Sequence, residues 1–299
     1  MKVSDSWITE WSKQLNTGEK SEVLAVRRYY QEQYNQGSDM FISTGKTSQF
    51  TELFKTKDLE NLYRSIYVNI GLRFANWYAK NNERLITKSI NPKDYSDIWE
   101  QTFATESQRV AGARIVLVQG TAKAELEKNL KRLMRDVDFQ ALGAQEKARI
   151  LRSRFNKISQ YQAERIVRTE ATNAANLATE RAALDIYGAK SLQKQWITAI
   201  DGRERPAHNA ANGQIVDFDD YFLVGGEQLK RAGDPRGSAA NVVNCRCAIA
   251  HIPKDDAQVE QPLSGFALGL AAEAISLQGE RIVTQRKPST DISEELDGE

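Results

Sequence analysis

The side chains best suited to bind a soft metal or to move protons are scarce in this sequence and gathered at one end. The chain has two histidines, His208 and His251, and two cysteines, Cys245 and Cys247, all within the last third of its 299 residues. Zinc prefers a tetrahedron of sulfur and nitrogen ligands. Cys245, Cys247 and His251 alternate on one side of an expected strand, so a structural zinc closed by His208 is one reading of these four residues. A Cys-x-Cys pair is not the usual zinc-finger spacing, and a disulfide between residues two apart would strain the bond, so reduced thiols are the alternative. In that second reading the cysteines are small buried groups. Glu170, Asp201, Arg203, Arg205, His208 and Asp234 then form a structural polar network. An arginine fork can bond a carboxylate and a backbone carbonyl together, and deleting one partner of a buried pair costs roughly 3 to 5 kcal/mol. Substitution of Asp201 or Arg203 should then damage folding and not turnover.

Other chemistry is less well supported. Glu170, Asp201, His208 and Asp234 could supply an acid, a base and a metal site, but no Ser or Cys sits in a nucleophile elbow and no Cys-His-Asn order is present. No catalytic residue is assigned, and the chain is not expected to be an enzyme. Gly45-Lys46-Thr47 lacks both the earlier glycine and the preceding strand of a phosphate-binding loop. Between residues 147 and 168 Glu164 is the only acidic residue among seven basic ones. Arg149, Arg152, Arg154 and Lys157 are therefore candidate DNA contacts, against the plainer reading of a solvated helix face. Lys plus Arg (41) nearly cancel Asp plus Glu (40), so any nucleic-acid contact must be local.

These residues need elements to position them. Up to about residue 190 the periodicity is helical, most clearly through Leu59, Leu62, Tyr63, Ile66, Tyr67, Ile70, Phe74 and Trp77. Trp7 with Trp11, and Tyr30 with Tyr34, share helix faces; they are either core or a docking surface for a partner. Residues 36–48 read as a loop, with further breaks at Asn91-Pro92, Gly120-Thr121 and Gly143. Ser159 and Gln162 have the form of a capping box for a small-residue helix that stops at Gly188. Strands are expected over 192–199, 214–218 and 245–252, with a turn at Asp201-Gly202. A helix over 263–277 and a mobile acidic tail would follow. The predicted fold is α+β: a mainly helical N-terminal two-thirds, then a small α+β unit with short strands. No signal peptide and no apolar membrane span are visible, so a soluble protein is expected.

Over residues 158–252 several separated motifs agree with one family. They are Arg165, Arg168, Thr169 and Glu170 with Asn173 and Asn176; Trp196; Asp201, Gly202, Arg203 and His208; Gly213; Gly233-Asp234-Pro235; and Asn244-Cys245-Arg246-Cys247. In their order and spacing they resemble the bacteriophage Mu F-like minor head proteins, the phage head morphogenesis family. Some members carry a Cys-x-x-Cys pair where Arg205 and His208 stand, and His-Pro where Val242 and Val243 stand, so this chain lacks some soft ligands of its relatives. The resemblance implies a structural minor capsid protein of a tailed phage, present in the virion and, during assembly, in the host cytoplasm. Its implied partners are the portal protein, the major capsid protein and packaged DNA, with no membrane. Its expected roles are procapsid assembly, DNA packaging or ejection. No cofactor is implied beyond the open zinc alternative. The expected organisation is a helical region over 1–90 that docks on portal or capsid through Trp7, Trp11, Tyr30 and Tyr34, a head morphogenesis domain over 91–255, and an extension over 256–299. The rival readings are a zinc-stabilised nucleic-acid-binding module and a toxin-like enzyme delivered with the virion.

Overall fold

A computed structural model describes residues 5–46, 50, 52–82, 92–199 and 202–254. The fold is α+β, with long helices first and short antiparallel strands after them. The helices are α1 (Asp5–Thr44), α2 (Thr56–Asn82), α3 (Pro92–Leu133), α4 (Val137–Ala141) and α5 (Ala144–Tyr187). There follow β1 (Leu192–Ile197), α6 (Pro206–Ala211), β2 (Ile215–Asp217), β3 (Phe222–Val224), β4 (Glu227–Leu229), α7 (Ala239–Val242) and β5 (Ala248–Pro253). The expected helix over 263–277 and the acidic tail lie outside the described residues, as does Asp201.

Helix α5 is the centre of the molecule. Every residue from 169 to 183 is buried, although the run includes Thr, Asn, Glu and Arg as well as alanines. Alanine side chains let neighbours approach on all sides, and most of the polar groups find partners, Arg181 Nη2 being an exception. Helices α1 and α2 pack on α5 in a single apolar core that runs from Trp11 to Ala248. Tyr34 stacks on Phe155 with ring centroids 4.8 Å apart and donates a 2.6 Å hydrogen bond to Gln162 Oε1.

Two expected interruptions are bridged by continuous helix. Residues 36–44 belong to α1, because Gly37 serves contact and not reversal: a Cβ there would lie 2.7 Å from Leu126 and 2.8 Å from Leu53. Helix α3 passes through Gly120 because Ile115 on one side and Ala122 on the other are both held in the core. The capping box at Ser159 is likewise absorbed into α5, where its hydroxyl donates to Phe155 O (2.6 Å). Tertiary burial on both sides of a weak point outweighs a local propensity of about 1 kcal/mol. Pro92, Gly143 and Gly188 do mark helix ends as expected.

The strands form an antiparallel sheet of order β2-β1-β5, with Trp196 opposite Ile249 and Lys194 opposite His251. A separate hairpin, β3-β4, turns through Gly225 and Gly226, both at positive φ (58° and 82°) as a tight two-residue turn requires. No helix among the described residues is long and apolar enough to cross a membrane.

Candidate functional site

Part of the sequence-defined motif set, Thr169, Asn176, Trp196, His208, Cys245 and Cys247, meets where α5, β1, α6 and the segment leading into β5 come together. Two side chains of α5 fix that segment. Thr172 Oγ1 donates to Cys245 O (2.5 Å), while Asn176 donates to Cys247 O (3.1 Å) and accepts from Ile249 N (2.7 Å). Thr169 Oγ1 accepts from Asn244 N (3.0 Å). Asn244 has φ +58°, a left-handed conformation that Asn adopts more readily than most side chains.

His208 on α6 faces the two sulfurs from the other side. Its Nδ1 lies 3.3 Å from Cys247 Sγ and 3.6 Å from Cys245 Sγ, and all three side chains are buried. The ring stands edge-on to Trp196 (5.7 Å, 87°), and Thr198 Oγ1 donates to the His208 carbonyl (2.7 Å). The hydrogen bond from Cys247, with His208 beside it, pulls the Cys245 thiol well below its usual range despite burial; the same bond and burial push Cys247 up. A cavity of about 140 Å³ opens over them, lined also by Arg203, Arg205, Asn244 and Arg246.

His251 does not join this group. It sits on β5 against Tyr78 (6.2 Å) and Phe218 (6.1 Å). Strand alternation was the reason to place it with the cysteines. Four residues at about 3.3 Å each carry it roughly 13 Å further along the chain, which alternation ignores.

The polar network is divided among several sites. Glu170 faces α2 and α3: it is paired with Arg114 and accepts from Tyr67 OH (3.0 Å), which itself accepts from Asn173 (2.6 Å). Asp234 closes its own loop, accepting from Lys230 N (2.8 Å) and Arg236 Nη2 (2.6 Å). Arg205 donates to Val243 O, and Arg203 lines the cavity. The residues not anticipated are Arg114, Tyr67, Glu180 and Arg231. Arg231 links Asn173 Oδ1 (3.1 Å) to Glu180 Oε2 (3.2 Å), and Lys230 adds a second pair to Glu180 (3.4 Å). Asn173 stood in the motif set and is the residue from which both could have been sought. Just beyond, Gly233 (φ +79°) passes so close to α5 that a Cβ would lie 2.9 Å from Asn173 N.

The aromatic residues suggested as a docking surface are core. Trp11, Tyr30 and Tyr34 are at most 1% exposed, and Trp7 stacks on Trp11 (5.4 Å) and packs near Trp77 (5.5 Å). Trp11, Tyr30 and Tyr34 fill the space between α1, α2 and α5, while Trp7 is half-buried at the edge of that packing. Of the basic residues on α5, Arg149 is bound to Glu146, Arg152 lies 3.6 Å from Asp39 and Arg154 donates to Asn129 (2.6 Å). Lys157 is exposed.

The α5 helix, the Gly233 loop and the Asn244-Cys245-Arg246-Cys247 segment all lie within the stretch that comparison with known proteins picks out. Residues 113–250 match the family described as Phage Mu protein F like protein. The Mu F-like match, to a family of phage head morphogenesis proteins, begins inside α3 and ends inside β5. The chain is also 31% identical over 182 residues to the NAD(+)--arginine ADP-ribosyltransferase EFV of Enterococcus faecalis. That alignment takes in 59% of this chain and 35% of the relative, so the chain spans about a third of the relative's length. No solved structure matches.

Proposed function

We propose that the chain is a minor structural component of a tailed-phage head, sited at the portal vertex with the portal and major capsid proteins and assisting procapsid assembly, DNA packaging or ejection. The observation that supports this reading is the match of residues 113–250 to the Phage Mu protein F like family, a stretch that includes the buried centre of α5. A DNA contact would fall on the first half of α5, where Arg152 and Lys157 are exposed, and would weaken steeply with salt. Mass spectrometry with cross-linking on purified virions and empty procapsids tests the proposal. It expects the protein in few copies, cross-linked to portal; its absence from both particles overturns it.

A second reading is favoured by the Enterococcus faecalis relative named as an arginine ADP-ribosyltransferase. It makes this chain a head-derived protein with transferase activity, in which arginine nitrogen displaces nicotinamide from NAD. Purified protein incubated with labelled NAD and an arginine-rich acceptor decides it: transfer lost in His208→Ala with helix content intact supports the second reading, and no transfer by the wild-type chain removes it.

A further inference from the structure

We propose that His208, Cys245 and Cys247 form a mononuclear site for a thiophilic divalent cation, zinc by its ligand chemistry, with the fourth coordination position turned into the cavity bordered by Arg203, Arg205 and Arg246. This stands independently of the role in head assembly.

The geometry is that of a tetrahedral set. Zinc–sulfur bonds of about 2.3 Å and a zinc–nitrogen bond of about 2.0 Å at tetrahedral angles put nitrogen and sulfur about 3.5 Å apart. The two Nδ1–Sγ separations are 3.3 and 3.6 Å, and all three donor atoms lie within 4.8 Å of one another. The donors are placed by the fold itself: Thr172 and Asn176 hold the two cysteine carbonyls, and Cys247 N donates to Cys245 Sγ (3.5 Å). Trp196 sets the plane of the imidazole, whose other nitrogen, Nε2, is buried with no hydrogen-bond partner. A disulfide is the poor alternative for residues two apart.

A metal also answers a need of this part of the molecule. The strand unit has a satellite core of nine buried apolar residues, two of which are these cysteines. So small a core gains from a cross-link, and a metal here would tie α6 to chain 37 residues later. Two thiolates would neutralise the cation, and the polar cavity wall, which holds Glu204 as well as the arginines, suits a water at the fourth position. Three protein ligands with one open position differ from the closed four-ligand site that includes His251.

The full-length protein is stripped with chelator and titrated with cobalt(II). We expect stoichiometric uptake with an intense thiolate-to-cobalt charge-transfer band and tetrahedral ligand-field bands, displaced by zinc. His251→Gln should retain the full signal, His208→Cys should retain uptake with a stronger charge-transfer band, and Cys247→Ser should lose the band in proportion to bound metal. Wild-type protein with native helix content that shows no charge-transfer band overturns the proposal, whatever the variants do. Loss of uptake in a folded His251→Gln would overturn the three-residue ligand set.

Discussion

His251 is a buried base with no hydrogen bond to either ring nitrogen, set among Tyr78, Phe218, Glu180, Lys194 and Arg231. Burial, with Lys194 and Arg231 nearby, pushes its pKa down to about 4 against the opposing pull of Glu180. The unfolded chain therefore binds a proton between about pH 6.5 and 4 that the folded chain refuses, so stability is lost as pH falls through that window. The shift corresponds to roughly 3 kcal/mol. Glu19, raised by burial to about 7, pulls the other way over part of the range, so the informative quantity is the difference between wild type and His251→Gln. Urea unfolding should show that the variant loses roughly 2 to 3 kcal/mol less than wild type between neutral pH and about pH 4.5; parallel pH profiles would refute the assignment. Residue type alone pointed to His208, Cys245 and Cys247 as a group. It misplaced His251, because alternation reports which side of a strand a residue occupies and not how far along it lies.

At the level of elements, the Arg114–Glu170 pair shows how α3 and α5 are joined. Glu170 is buried at the centre of α5, with Arg114 and Tyr67 as its partners from α3 and α2. Removing the guanidinium leaves a carboxylate away from water, so Arg114→Met should cost roughly 3 to 5 kcal/mol. Adding Glu170→Gln should recover part of that loss, since the amide carries no charge to desolvate. A double mutant as unstable as the sum of the singles, measured by chemical denaturation, would mean the two residues do not act together. Helix ends at Pro92, Gly143 and Gly188 were legible because proline and glycine act locally there. The continuity of α1 past Gly37 and of α3 past Gly120 was not, since it depends on Leu53, Leu126 and other residues far away in sequence. The β3-β4 hairpin was legible in principle from Gly225-Gly226 directly after the apolar run Phe222-Leu223-Val224.

The whole molecule is organised differently from the family match it contains. The Mu F-like domain starts at residue 113, whereas α1 and α2, which cover its central helix, end at Asn82. The placement of Trp7, Trp11, Tyr30 and Tyr34 suggested a docking surface in the first 90 residues; Trp11, Tyr30 and Tyr34 are instead buried in the core. Tyr34 closes over Phe155 and Gln162, and Tyr67 satisfies Glu170 and Asn173. Without them α5 would expose both apolar surface and a buried carboxylate. Each large side chain so uncovered forfeits about 1.5 to 3 kcal/mol, and several together exceed the 5 to 15 kcal/mol by which a domain is ordinarily stable. Residues 113–254 produced alone should therefore fail to form a cooperatively folded monomer, showing aggregation or dye binding to exposed apolar surface, while the full chain unfolds in one main transition. Co-expression with residues 1–112 as a separate chain should restore solubility, because the contacts of α1, α2 and the first half of α3 with α5 need no covalent link. A soluble, cooperatively melting 113–254 fragment would show that the core around α5 closes without its N-terminal helices.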